Sequence, residues 1–179
     1  MIIYQAAQIG DPVIRKKSAV VKSVKTQQAQ KIIHDLIDSM RHHHLVGMAA
    51  PQIGKNVRIF VTEIRKTKFR KHLKTLDPLR VFVNPKIIRR SRSVGLGMEG
   101  CGSVASAQIF GSVPRPKEVQ IEALDEYGHT FVLSVRGLLA RVVQHELDHL
   151  DGLIFLDRMK TMKSLISLHS RKNSLLGSN

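Results

Sequence analysis

The stretch Gln144-His145-Glu146-Leu147-Asp148-His149 decides how this chain is read. It closes a segment from about Gly137 to Leu150 whose pattern predicts a helix. At 3.6 residues per turn, His145 and His149 project from one helical face about 40° apart, where one metal ion can take both imidazoles. Glu146 is offset by one position, so it need not be a ligand and can act as general base toward a water at the metal. The bland alternative is chance, two surface histidines and a glutamate among acids.

The search for a third ligand weighs these readings. Zinc proteases with this pattern commonly take a glutamate from a later helix, but no Asp or Glu follows Asp157. The extended pattern H-E-x-x-H-x-x-G-x-x-H finds Gly152 in place and then Phe155 where the last histidine should stand. The soft ligand that remains is the lone cysteine, Cys101, within Glu99-Gly100-Cys101-Gly102-Ser103. Two imidazoles and a thiolate leave a fourth position open, as in catalytic rather than structural sites. Taken alone, Cys101 reads more readily as a buried structural thiol than as a ligand; beside the histidine pair the order reverses.

Outward from this helix, Ile32, Ile33, Leu36, Ile37 and Met40 recur at helical spacing and predict an amphipathic helix from about Gln27 to Arg41. Gly47 to Gly54 is a small-residue loop that cannot be regular helix across Pro51. Val57–Ile64 and Val81–Val83 read as strands, the second closed by Asn84-Pro85. Lys117–Leu124 and Thr130–Val135 alternate about Tyr127-Gly128 as a hairpin. In the tail, Met159, Met162, Leu165, Ile166 and Leu168 can line one helical face. Strands followed by a helix point to an α+β fold. The expectation is small antiparallel sheets around a central metal-binding helix, with a C-terminal helix. Residues 1–179 read as one domain, of which 158–179 is a basic helix or tail.

Composition narrows the class. The 179 residues are 42% hydrophobic and 24% charged, an ordinary globular balance that excludes a disordered or collagen-like chain. One cysteine excludes a disulfide scaffold within the chain. No apolar run approaches the ~18–20 residues of a membrane span, and Met1 to Gly10 lacks the features of a signal peptide. A cytoplasmic protein with no membrane partner is expected. The charge is the odd feature: 29 Lys and Arg against 14 Asp and Glu, net +15. Such an excess speaks to anionic partners such as RNA, although six Phe, two Tyr and no Trp offer few stacking platforms. The basic run Arg65, Lys66, Lys68, Arg70, Lys71 and Lys74 reads as an exposed loop.

Three segments resemble, in order and spacing, the motifs of peptide deformylases. They are Leu45-Val46-Gly47-Met48-Ala49-Ala50-Pro51-Gln52, Glu99-Gly100-Cys101-Gly102-Ser103, and Gln144 to Gly152. Gly10-Asp11-Pro12-Val13-Ile14-Arg15 and Phe155-Leu156-Asp157 agree, so the resemblance covers nearly the whole chain. It implies hydrolysis of the N-formyl group from N-formylmethionyl nascent peptides, with release of formate. It assigns the metal to Cys101, His145 and His149, with iron(II) first and zinc, nickel or cobalt as substitutes. Thiolate and imidazole suit all four ions. It makes Glu146 the catalytic base, and the Gln52 side-chain amide and Gly102 N–H the donors to the oxyanion. Read without the resemblance, Gln52 is a loop-stabilising amide.

Leu138, Arg141 and Val142 precede His145 by seven, four and three residues, so they share its face and can wall a pocket for the methionine side chain. The resemblance supplies Val46 and Gly47 as the facing wall; core packing is the plain alternative for Leu138 and Val142. His42, His43 and His44 read as a solvated helix end, since consecutive helical positions do not face one another. The resemblance also implies a monomer that meets its substrate at the ribosome, and rRNA would suit the basic loop and tail.

The chain departs from the family at two positions. Leu45 stands where the first motif usually has Gly, and Gly102 where the second usually has Leu. A large residue gained and another lost suggest a compensating swap, which requires Leu45 to lie over Gly102. Val104–Val113 lacks the family's usual arginine, a peptide contact, and Arg115 is the first arginine available. Two rival readings follow: the same scaffold with another N-acyl substrate, and a silent ribosome- or RNA-binding relative.

Overall fold

The computed structural model describes residues 3–68 and 70–168. In chain order its helices are α1 (Pro12–Arg15), α2 (Gln27–His42), α3 (Gly137–Leu150) and α4 (Phe155–Arg158). Its strands are β1 (Gly47–Ala49), β2 (Ile59–Ile64), β3 (Asp77–Arg90), β4 (Val94–Gly100), β5 (Ile109–Pro116), β6 (Glu118–Leu124), β7 (Thr130–Arg136) and β8 (Ile166–Ser167). One sheet has the order β1-β2-β3-β6-β7 and the other β4-β5-β8, every pairing antiparallel. The α+β expectation holds, with α3 at the centre.

The alternation of β2 and β3 explains this placement. Ile59, Val61, Val81 and Val83 pack with Ile32, Ile33, Leu36 and Met40 of α2. Phe60 and Phe82 pack with Ala140, Val143, Leu147 and Leu150 of α3. Successive side chains leave a strand on opposite faces, so the five-stranded sheet is covered by a helix on each side. Both faces being buried, β2 opens in sequence with the unbroken apolar run Ile59-Phe60-Val61. Phe60 and Phe82 are cross-strand partners whose rings stack at 4.5 Å, a pairing that contributes roughly 0.5–1.5 kcal/mol beyond its area. The N-terminus of α2 is capped by Thr26, which accepts a bond from Ala29 N.

Three expectations need correction. The strand at Val81–Val83 does not stop at Asn84-Pro85; β3 runs on to Arg90 across a register shift between Val83 and Lys86. Asn84 takes φ +51, which Asn tolerates better than most residues, and its side-chain amide holds both backbone groups of Val21. Strands β4 and β5 were not foreseen, because glycines alternate along β4 and dilute its apolar pattern. The helical face expected from Met159 to Leu168 does not form either. That segment is a single 3-10 turn, Met162–Ser164, followed by β8 paired to β5. The rest of the tail, residues 169–179, lies outside the described residues.

Candidate metal centre

Cys101 sits one residue past β4, and His145 and His149 lie on the inner face of α3. Their ligand atoms all fall within 4.8 Å of one another. Sγ of Cys101 is 3.1 Å from His149 Nε2, and the two imidazole rings meet edge-on at 5.1 Å. Cys101 and His149 are almost fully buried. His42, His43 and His44 form no such group: α2 ends at His42, and His43 Nε2 bonds Tyr4 O at 2.8 Å.

The imidazole of His145 is oriented by a carboxylate. Glu99 Oε2 lies 2.9 Å from its Nδ1, which leaves Nε2 for the ligand position, the usual arrangement behind a metal-bound histidine. Glu99 is itself buried and held by Arg115 Nε and Nη2 at 3.0 and 2.9 Å and by Arg141 Nη1 at 2.7 Å. Arg115 continues to Asp148 at 2.5 Å, and Arg158 closes on Asp148 at 2.6 Å. Burial would raise Glu99, but His145 and Arg115 together hold it far below the usual carboxylate range. Sequence reasoning missed this chain of charges. Strand periodicity contains its signal, since Glu99 and Cys101 are two residues apart and so share a face.

Burial also works against charge on Cys101, and the two imidazoles overcome it, holding the thiol well below its ordinary value. His145 is raised well above its ordinary value, burial being outweighed by Cys101 and Glu99. A thiolate and two imidazoles, which an ion takes up by displacing their protons, are the donor set that suits a borderline-soft divalent ion, so the residues present fit the metal. Glu146 behaves oppositely: burial pushes it up to about 7 despite the two imidazoles nearby. Among the described residues its Oε2 is buried without a partner, as is His149 Nδ1.

Gln52 lies in the 3-10 turn Ala50–Ile53, which Pro51 helps to shape. Its Oε1 accepts from Ala49 N at 2.8 Å, so the amide group is turned toward the cysteine loop, with Nε2 3.3 Å from Ser103 Oγ and 3.7 Å from Cys101 Sγ. The Gly102 N–H has no partner among the described residues. Gly47 is glycine because the backbone must pass close to α3: a Cβ there would overlap the Glu146 carboxylate and Val142. Val46 packs with Val142, flanked by Leu138 and Leu139.

Arg141, expected at the pocket wall, and Arg115, the first arginine after the altered loop, are otherwise engaged. The Arg141 guanidinium is drawn away into the β4–β5 sheet, bonding Gly95 O, Gly97 O, Val113 O and Glu99. Arg115, 5% exposed, is consumed by Glu99 and Asp148, so it does not replace the family's peptide-binding arginine. Leu45, by contrast, lies where the swap requires, its Cδ1 3.4 Å from the site a Gly102 Cβ would take.

Donors of three kinds therefore surround one point: ligand atoms, amide N–H groups and a carboxylate able to hold a proton near neutrality. Such a site defines a metal-dependent hydrolase built on an α+β frame. Its family is identified by comparison, for the sequence pattern described as polypeptide deformylase matches residues 3–165. The chain belongs to the polypeptide deformylase family, enzymes that remove the N-formyl group of newly made polypeptides. It is 41% identical over 149 residues to a peptide deformylase of Pseudothermotoga lettingae, covering 83% of this chain and 78% of that one. It is 35% identical over 160 residues to peptide deformylase 2 of a Nostoc species, covering 89% and 88%. A class I type b peptide deformylase from Acinetobacter baumannii superposes with TM-score 0.84 at 28% identity, over 89% of this chain and 100% of that one.

Proposed function

We propose that this chain deformylates N-formylmethionyl peptides at the Cys101, His145 and His149 centre. The observation that carries the reading is the convergence of these three ligand atoms within 4.8 Å beside the buried Glu146 carboxylate. A bound divalent ion, iron(II) by preference, supplies Lewis acidity and lowers the pKa of water there. Glu146 takes a proton from the attacking water, whose oxygen adds to the formyl carbon. Gln52 Nε2 and Gly102 N–H donate to the carbonyl oxygen as it becomes an oxyanion. Glu146 returns the proton to the amine as the carbon–nitrogen bond breaks, giving formate and a free N-terminus. A carboxyl group near pKa 7 suits both transfers, since the best acid–base catalyst has a pKa close to the working pH. Val46, Gly47, Leu138 and Val142 wall the methionine side chain; Arg141 braces that wall from the sheet.

The relatives support the substrate class, and a second Acinetobacter baumannii structure is of a peptide deformylase bound to Met-Ala-Ser (28% identity, TM-score 0.81). The net charge of +15 supports transient association with ribosomal RNA. We further read residues 1–179 as one domain, monomeric and cytoplasmic; no helix among the described residues is long and apolar enough to cross a membrane. Formate release from formyl-Met-Ala-Ser by iron-loaded protein under anaerobic conditions tests the reading. Turnover abolished in Glu146→Ala, with metal retained, is the expected result; a wild-type protein that holds metal and releases no formate overturns it.

A further inference from the structure

The segment before α1 belongs to neither histidine helix nor cysteine loop, yet it runs between the two loops that carry the oxyanion donors. Ala7 N donates to Gln52 O at 2.8 Å, and Ile9 N donates to Ser103 O at 2.9 Å. Between these bonds the Gln8 side chain reaches across the cysteine loop. Its Nε2 donates to Gly102 O at 2.9 Å and Ala6 O at 2.7 Å, and its Oε1 accepts from Ser106 N at 3.2 Å.

The loop it grips needs holding. Ala105, Ser106 and Ala107 have φ of 46°, 49° and 60°, a left-handed turn of three non-glycine residues that persists only where the surroundings impose it. Gly102, at the head of the loop, has the widest backbone freedom of any residue and no side chain to anchor it. The loop's internal bonds run from Val104 N and Ala107 N to Cys101 O, from Ala107 N to Val104 O, from Gln108 N to Ala105 O and from Ser103 N to Cys101 Sγ, and Leu168 N secures its far end at Gln108 O. Among the described residues, Gln8 alone joins the Gly102 carbonyl to the strained turn through one side chain.

We propose that Gln8 is a positioning residue for the oxyanion donors. Holding the Gly102 carbonyl fixes the peptide plane that follows the glycine, and with the plane before it anchored at Cys101 O by Val104 N and Ala107 N this restricts rotation at Gly102 and keeps its N–H in line with the Gln52 amide. This rests on the deformylase reading above. It concerns geometry rather than metal affinity, since Gln8 touches no ligand.

Two variants and two measurements test it. Gln8→Ala removes the whole clamp, whereas Gln8→Glu keeps the acceptor for Ser106 N and loses the donor to Gly102 O. Losing an oxyanion donor outright costs about 10²–10³ in kcat, so a donor left misaligned is expected to cost roughly 10-fold. Both variants should show this fall with KM within about twofold and metal content unchanged. Amide hydrogen exchange, read on the protein without substrate, should accelerate at residues 102–107 and not in the strands. Unchanged kcat in an active enzyme, unchanged exchange at 102–107, or acceleration spread over the whole fold would each overturn the proposal. If the wild type releases no formate, the deformylase reading fails by itself, and exchange at 102–107 then decides whether the clamp exists.

Discussion

Leu45 Cδ1 lies 3.4 Å from the point a Cβ on Gly102 would occupy, so residues 57 positions apart in sequence are neighbours, and a side chain reaching beyond a methyl at 102 would meet Leu45. Gly102 has no positive φ, and a Cβ there would sit in ordinary contact with Leu45 and Ala6, so it is a longer side chain at 102, and not the first carbon, that Leu45 obstructs. Leu45 is fixed there by both of its backbone groups, Leu45 N donating to Met40 O at 3.0 Å and Arg65 Nη2 donating to Leu45 O at 3.3 Å. The apolar cover over the candidate oxyanion donors thus comes from the segment just after α2 instead of from the cysteine loop. Gly102→Leu alone should crowd Leu45 and lower kcat/KM, while Leu45→Gly alone should open the cover. The double variant should recover much of both losses. Contacting residues couple by about 0.5–3 kcal/mol, so a double-mutant cycle in thermal stability and in kcat/KM that gives no coupling would refute the shared volume.

Gly47→Ala probes the opposite case, a glycine required by close approach. The added methyl would overlap Glu146 and Val142, and it projects from a buried strand with little room to move. Displacement of the carboxylate should lower kcat at least 100-fold, in keeping with the roughly 10²–10⁴-fold contribution of a positioned acid or base. Metal content measured by atomic absorption should stay at one ion per chain. Near wild-type turnover would place Glu146 elsewhere in the reaction.

Glu99 offers a test of the charges behind His145. Removing one partner of a buried ion pair costs about 3–5 kcal/mol because the other charge is left uncompensated, and Glu99→Ala would strand Arg115 with Asp148 alone. Glu99→Gln preserves the shape and one hydrogen bond to His145. It should keep the fold while weakening metal retention about 10–100-fold, the usual effect of losing a residue that orients a ligand. Competition against a chelator gives the number. Equal retention in Glu99→Gln and wild type would show that the carboxylate charge does not matter to the ligand.

An acid-side stability effect is expected at Glu63. Its bond to Arg41 lowers its pKa, against the opposing effect of burial, with further help from the Arg41 and Arg65 charges. A folded value below the unfolded one, about 4.3 for Glu, means the stabilisation is complete above that pH. It is then lost as pH falls through the folded value. Glu63→Gln should therefore lower Tm at pH 7 and converge with wild type toward pH 3. Parallel Tm curves across this range would refute the linkage.

The parts of this protein that could be read from its sequence are those whose logic is local. The i, i+4 spacing of His145 and His149 is a property of one helix, and the absence of acids after Asp157 left Cys101 as the available soft ligand. The hairpin around Tyr127-Gly128 and the helix beginning near Gln27 follow from period and turn chemistry in the same way. What escaped was non-local. Arg141 occupies the helical position of a pocket wall, yet its guanidinium follows three carbonyls on strands more than 20 residues away in sequence. The alternate glycines that hide β4 leave room for that crossing, since a Cβ on Gly97 would strike Arg141. Gln8 carried no signal at all, because its partners at Gly102 and Ser106 are joined to it only by the fold.

The extended course of the chain after α4 changes what its basic residues can be. Arg158 is held by Asp148, which also holds Arg115 and through it Glu99. Ile166 and Ser167 supply the edge of the sheet next to the cysteine loop. Cutting the chain at 158 would therefore do more than erase positive charge: it would open the outer edge of β5 and release one end of a relay that stops at His145. Arg158 thus both adds to the positive charge of this segment and seals the catalytic half of the molecule, so a cut at 158 removes charge and integrity of the site together.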